Sequence, residues 1–174
     1  TVVAVFAIYG AVTAGYQAAL MVPTEILANQ HYRKISAMLE DFGVRVALLT
    51  GSTKTMERRE IYKELADGSI NVVIGTHALI QEQVAFKKLG LVIIDEQHRF
   101  GVVQRLALIN KGDRPDILAM TATPIPRSLA LTVYGDTALS EIRHLPAGRK
   151  PIKSYWKTSS QLDEVYSLMR QQLA

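Results

Sequence analysis

Two carboxylates, Asp95 and Glu96, directly follow the apolar run "LVII", in the stretch "DEQHRFG". Carboxylates in that place suit a magnesium nucleotide. One can hold Mg²⁺, usually through water, because this hard octahedral cation keeps several of its waters. The next can orient or deprotonate an attacking water. Taken alone, an acidic pair at a loop start is also ordinary solvated surface. A second polar cluster shifts the balance: "ILAM" is followed by Thr121, Ala122 and Thr123, in "TATPIPR". Three more apolar runs end the same way. "ALMV" leads into Pro23, Thr24 and Glu25, "VALL" into Thr50 and Gly51, and "NVVI" into Gly75, Thr76 and His77.

The elements that must position these residues are legible in the runs themselves. "AALMV", "VRVALLT", "INVVIGT", "LGLVIID" and "DILAMTA" are short, continuous and apolar, the pattern of a parallel sheet covered on both faces. Between them lie helical stretches. "PTEILANQHYRKISAMLEDFG" places Leu27, Ile35, Met38, Leu39 and Phe42 at helical spacing, with Thr24 as N-cap and Gly43 as stop. "TMERREIYKELADG" is a charged amphipathic helix closed by Gly68, and "PRSLALTVYG" is a short helix opening on Pro126. Alternating strands and helices give a doubly wound α/β domain, whose ligands bind at the carboxyl ends of the strands. The polar residues above all fall on that rim.

The chain has 174 residues, enough for one domain, or for one and part of another, and 48% are hydrophobic, enough for a sizeable core. Its net charge of +4 permits a polyanionic partner without requiring one. With no cysteine, disulfides and cysteine-rich zinc sites are excluded, and His31, His77, His98 and His144 lack metal-ligand spacing. The first charged side chain is Glu25, after "TVVAVFAIYGAVTAGYQAALMVPT". No basic region precedes this run, as a secretory signal would need. Gly10, Thr13, Gly15, Tyr16 and Gln17 interrupt it well short of a membrane span. It reads as a helix over Thr1–Ala14 with Gly15 as C-cap, then a strand. Because the helix is apolar all round, it is expected to lie beneath other elements. Near "HLPAGRKP" a basic, Pro- and Gly-punctuated linker begins. A strand-like "IKSYW" follows, then a helical "SQLDEVYSLMRQQL" with Leu162, Val165 and Met169 on one face. This tail is too short for a core of its own.

"DEQH" with "TATPIPR" resembles motifs II and III of superfamily 2 helicases. "VPTEILANQH" resembles their motif Ia, and "LLTG" and "GTHALIQE" their later nucleic-acid-contact motifs. "LGLVIIDEQHRFGVVQR", "TATPIPRSLALTVYGD" and "LPAGRKPI" closely resemble the bacterial RecG family of ATP-dependent branched-DNA helicases, over nearly the whole chain. Transcription-repair coupling factors share "GTH", "HRFG" and "TATPIPR" but typically carry "DEEH". Gln97 and "GRKPI" favour RecG.

The resemblance implies a RecA-like P-loop NTPase fold, a three-layer α/β/α domain with a parallel sheet. Residues 1–145 would be a first motor domain lacking its phosphate-binding loop, and 146–174 a linker and the start of a second. It implies ATP and Mg²⁺ as cofactors, branched or duplex DNA and the remaining domains of the same polypeptide as partners, no membrane, and a cytoplasmic location. Thr1 matches the threonine that ends the phosphate loop and would ligand Mg²⁺ through its hydroxyl. The lysine and glycines of that loop are absent, which implies a piece starting just inside motif I and inactive by itself. Asp95 would hold Mg²⁺ through water and Glu96 would position the hydrolytic water. Gln97 and His98 would link the nucleotide to Thr121 and Thr123. Pro23, Thr24, Thr50, Gly51, Gly75 and Thr76 would approach a DNA strand, although each singly also fits turn chemistry. Arg127 could pair with a carboxylate, and its role stays open. The competing class is a binding module that kept this fold and lost catalysis.

Overall fold

The computed structural model describes residues 1–122, 138, 140–142 and 154–173. The chain divides into two compact units, Thr1–Pro124 and Ile125–Ala174. The boundary expected between 145 and 146, the helix expected from Pro126, Thr123 and Arg127 all lie outside the described residues.

The first unit is a five-stranded, all-parallel sheet in the order β2-β3-β1-β4-β5. Its strands are β1 (Gln17–Met21), β2 (Val46–Leu49), β3 (Val72–Gly75), β4 (Leu89–Asp95) and β5 (Asp116–Met120). Its helices are α1 (Val2–Thr13), α2 (Glu25–Leu39), α3 (Thr55–Asp67) and α4 (Val102–Ile109). All five apolar runs therefore became strands.

Side chains alternate across a strand, so each run serves both faces. Ala18, Leu20, Val72, Ile74, Leu91 and Ile93 pack with Ala4 and Ile8 of α1 and with Ala28, Ile35 and Leu39 of α2. Ala19, Met21, Val73, Val92 and Ile94 pack on the other face with Ile61 and Leu65 of α3 and Leu108 of α4. Leu20, Met21, Ile74 and Ile93 are wholly buried, a burial worth about 1.5–3 kcal/mol for each side chain.

Register sets the rim. Met21 pairs with Gly75 on one side and with Ile94 on the other, Leu49 pairs with Gly75, and Asp95 pairs with Met120. All five strands therefore end at one level. The chain places β2 and β3 on one side of β1 and β4 and β5 on the other, so the strand order reverses beside β1, where open α/β sheets form a ligand crevice.

Local signals explain the helix ends. The Thr24 hydroxyl accepts from Leu27 N at 3.3 Å and caps α2. Gly15, at φ +80°, lets Tyr16 N reach Ala11 O (3.0 Å) and Gly15 N reach Val12 O (2.9 Å), the paired bonds of a Schellman stop. Gln17, one of the residues that break up the apolar opening, is a buried tie. Its amide donates to Leu65 O (2.9 Å) and Ile70 O (2.8 Å) and accepts from Lys88 N (2.9 Å).

Three expectations are corrected. Helix α1 is not covered all round: Ala4 and Ile8 face the sheet, while Val2, Val3 and Phe6 are exposed, Phe6 by 74%. A helix resting on a sheet has only one stripe covered, and uniform apolarity cannot say which. The inward stripe of α2 is Ala28, Ile35 and Leu39, while Met38 and Phe42 are exposed. Ser154, Tyr155 and Trp156, expected in a strand, have no regular secondary structure.

In the second unit, a single 3₁₀ turn (Ser159–Gln161) leads into α5 (Leu162–Leu173). Leu162, Tyr166, Leu168 and Met169 are exposed there. Among the described residues no helix is long and apolar enough to cross a membrane.

Candidate functional site

Asp95 is the last residue of β4, its side chain 19% exposed. Both of its carboxylate oxygens are engaged. Oδ2 accepts from His31 Nε2 at 2.9 Å and Oδ1 from Glu96 N at 3.0 Å. The His31 hydrogen bond holds the carboxyl below its ordinary value, against the upward push of burial. Glu96 follows in the left-handed region, at φ +49°, ψ +49°. Non-glycine residues adopt that conformation uncommonly, and it collects at functional sites. It turns the Glu96 side chain back along the rim, where Oε2 accepts from Thr121 Oγ1 at 3.3 Å and lies 3.5 Å from His98 Nδ1. Gln97 and His98 begin a 3₁₀ turn, Gln97 half-buried and His98 more exposed.

Thr1, Gln30, His31, Lys34, Asp95 and Glu96 line one cleft of about 270 Å³ at this end of the sheet. A larger hollow on the second unit, about 510 Å³, is lined by Asp163, Glu164, Ser167, Leu168 and Gln171. All five come from one surface helix, so it gathers no convergent chemistry. The cleft beside Asp95 does: two carboxylates, a hydroxyl, a histidine and a lysine amine. Its oxygen donors are hard, and one lone pair on each Asp95 oxygen is already used. That set fits Mg²⁺ held through its own waters. Among the described residues, no group of three or more His, Asp and Glu could cage a metal by itself.

The second part of the rim is the loop after β2. Arg58 of α3 donates through Nη2 to Thr50 O (3.1 Å), Gly51 O (3.0 Å) and Thr53 O (3.2 Å). Thr50 N donates to Thr53 Oγ1 at 2.9 Å. From the first turn of α2, Glu25 accepts from Ser52 N (3.1 Å) and from Ser52 Oγ (2.7 Å). The Ser52 hydroxyl bond lowers the Glu25 carboxyl, so it stays an anion across the neutral range. The loop is thus held in shape from both sides.

The rim residues expected from sequence divide. Thr24 and Gly51 are exposed and Pro23 is half-buried. Thr50 and Thr76 are each only 2% exposed, and Gly75 is buried. These three close the sheet layer, and the surface begins a residue or more later, at Gly51, Ser52 and His77. Thr1, Asp95 and Glu96 line one cleft, and Thr121 hydrogen-bonds to Glu96 beside it. Sequence reasoning missed His31 and Arg58, and named Glu25 only as part of the polar rim. For His31 a signal existed: it stands between Ala28 and Ile35 on the inward stripe of α2, a polar residue in an apolar row.

The sequence matches the DEAD/DEAH box helicase family over residues 1–132. It is 55% identical over its whole length to the ATP-dependent DNA helicase RecG of Synechocystis, of which it spans 21%. It is 54% identical over 99% of its length to the enzyme of that name from Bacillus subtilis, of which it spans 25%. The fold superposes on a solved structure of RecG bound to a three-way DNA junction with a TM-score of 0.84 and 51% identity, covering 99% of this chain and 23% of that one. The chain therefore spans about a fifth to a quarter of the relatives it matches.

Proposed function

The chain belongs to the DEAD/DEAH box helicase family, and from that premise we propose that it is motor machinery of a RecG-type, ATP-dependent DNA helicase that remodels branched DNA in the cytoplasm. The single observation that carries this reading is the cleft in which Asp95, Glu96 and Thr1 meet at the carboxyl end of the sheet.

In this reading Asp95 and Thr1 would hold Mg²⁺, Asp95 through water. The ion would neutralise charge on the transferring phosphoryl group. Glu96 orients and deprotonates the attacking water, and Thr121, hydrogen-bonded to its carboxylate, fixes the direction from which it acts. Gln97 and His98 continue the turn beside it and, with Thr121 and Thr123, pass changes at the nucleotide along the rim. Lys34, in the same cleft, adds positive charge next to where phosphates would lie.

DNA is assigned to the other part of the rim. The small, exposed residue Gly51 and the N-terminus of α2 at Thr24 would let a phosphate backbone come close without reading base edges, so contact there is independent of sequence. Thr50, Gly75 and Thr76 act by supporting that surface. The proposed partition is residues 1–145 as one motor domain and 146–174 as the way into another.

The test is strand release. With ATP and Mg²⁺, the intact protein should separate the arms of a labelled three-way junction, and a linear duplex of equal length should stay paired. ATP-driven displacement of a bound third strand from linear duplex, with junction arms left paired, would instead support a coupling-factor-like translocase.

A further inference from the structure

We propose that His31 is the positioning residue of the Asp95 carboxylate, and that through α2 it ties the nucleotide end of the site to the DNA-facing loop. This rests on the reading of Asp95 as the metal-side carboxylate.

His31 and Asp95 are 64 positions apart, yet their Nε2–Oδ2 bond is 2.9 Å, with side chains only 11% and 19% exposed. A hydrogen bond to an ionised group sheltered from water is among the stronger kinds. Asp95 Oδ1 is already fixed by Glu96 N, so His31 supplies the second point that sets the plane of the carboxylate. The imidazole is itself sheltered, 11% exposed, on the stripe that carries Ala28 and Ile35, both wholly buried. Its other nitrogen, Nδ1, is buried without a hydrogen-bond partner among the described residues. The polar hold on the ring is therefore the bond to Asp95. Loss of an outer partner that orients a metal-side ligand typically costs about 10–100-fold in metal affinity or activity.

The same helix reaches the other end of the site. Glu25 and His31 lie about 9 Å apart along α2 at the rise of an α-helix. Glu25 grips Ser52 through two hydrogen bonds while His31 grips Asp95. A single rigid element thus contacts both the carboxylate and the strapped loop. A shift of either is passed to the other through α2.

The experiment uses the intact protein with His31→Phe, His31→Gln and Asp95→Asn. The first readout is the Mg²⁺ concentration needed for half-maximal binding of a fluorescent, non-hydrolysable ATP analogue. The second is kcat and KM for ATP with and without three-way junction DNA, with thermal unfolding as the check on folding. His31→Phe, which keeps a ring but cannot donate, should raise the Mg²⁺ requirement about tenfold. At saturating Mg²⁺ it should also lower DNA-stimulated kcat with little change in KM. His31→Gln, whose amide nitrogen stands where Nε2 does, should restore most of both. If His31→Phe does not fold, His31→Asn, polar but too short to reach Oδ2, takes its place with the same expected rise. A folded His31→Phe with unchanged Mg²⁺ dependence, beside an impaired Asp95→Asn, overturns the inference alone. A loss that His31→Gln does not restore also overturns it, because packing would then be the role. An Asp95→Asn protein with normal Mg²⁺ dependence removes the reading of Asp95, and this inference with it.

Discussion

Glu96→Gln in the intact protein should bind nucleotide normally and hydrolyse it about 10²–10⁴-fold more slowly, the usual contribution of a positioned general base. The substitution keeps the shape of the side chain and an oxygen that can accept from Thr121 Oγ1, a bond of 3.3 Å in the native protein. It removes the negative charge and the basic oxygen. Folding should survive, because the left-handed backbone at position 96 is sustained by the bond from its own N–H to Asp95, which the change does not touch. The effect belongs in kcat, since the carboxylate acts on water and not on nucleotide affinity. Steady-state hydrolysis together with an equilibrium titration of a fluorescent ATP analogue separates the two quantities. A near-normal kcat would show that some other group positions the water.

Gly75→Ala should be among the most destabilising single-methyl changes available to this chain. A Cβ at position 75 would lie 2.1 Å from Leu49 O and 3.0 Å from Leu79 Cγ. The leucine side chain can yield, but the carbonyl cannot. Leu49 is paired in register with Gly75 in the β2–β3 ladder, and Gly75 O accepts from Val22 N at 2.9 Å, which ties β3 to the end of β1. Moving one strand breaks bonds on both sides of it. Overpacking a tight interior costs about 1–3 kcal/mol, sometimes more, and a backbone obstacle belongs at the top of that range. A fall in the unfolding midpoint of about 10 °C is expected for a unit of this size. Thermal unfolding followed by circular dichroism measures it, and an unchanged midpoint would mean that the strands part there without cost.

These two positions also mark what the sequence could and could not convey. The acidic pair was legible because its signal is local: an apolar run, then Asp95 and Glu96. The strands, the Thr24 cap and the stops at Gly15, Gly43 and Gly68 are local signals of the same kind. Gly75 was legible as special, but its structural reason was not. A small residue at a strand end suits close approach of a phosphate, and equally close approach of another strand, and only the register with Leu49 decides between them. Thr50 and Thr76 were misplaced by the same ambiguity: hydroxyls read as surface groups, although the sheet layer extends past the last apolar residue. The His31–Asp95 and Glu25–Ser52 bonds join residues 64 and 27 positions apart, so no window of sequence contains them. They arise because α2 crosses the sheet face from the rim inward. The exposure of Phe6 was hidden for the opposite reason: α1 is apolar all round, so its pattern names no face.

The central claim is that one rim joins a hydrolytic cleft to a DNA-facing loop, so that DNA drives the chemistry. ATP hydrolysis by the intact protein, measured with and without a three-way DNA junction and repeated with Glu96→Gln, tests this most directly. The expected result is Mg²⁺-dependent hydrolysis that the junction strongly stimulates and that Glu96→Gln lowers about 10²–10⁴-fold at every DNA concentration. Hydrolysis at one rate with or without DNA, or stimulation that persists in the Glu96→Gln protein, would contradict it.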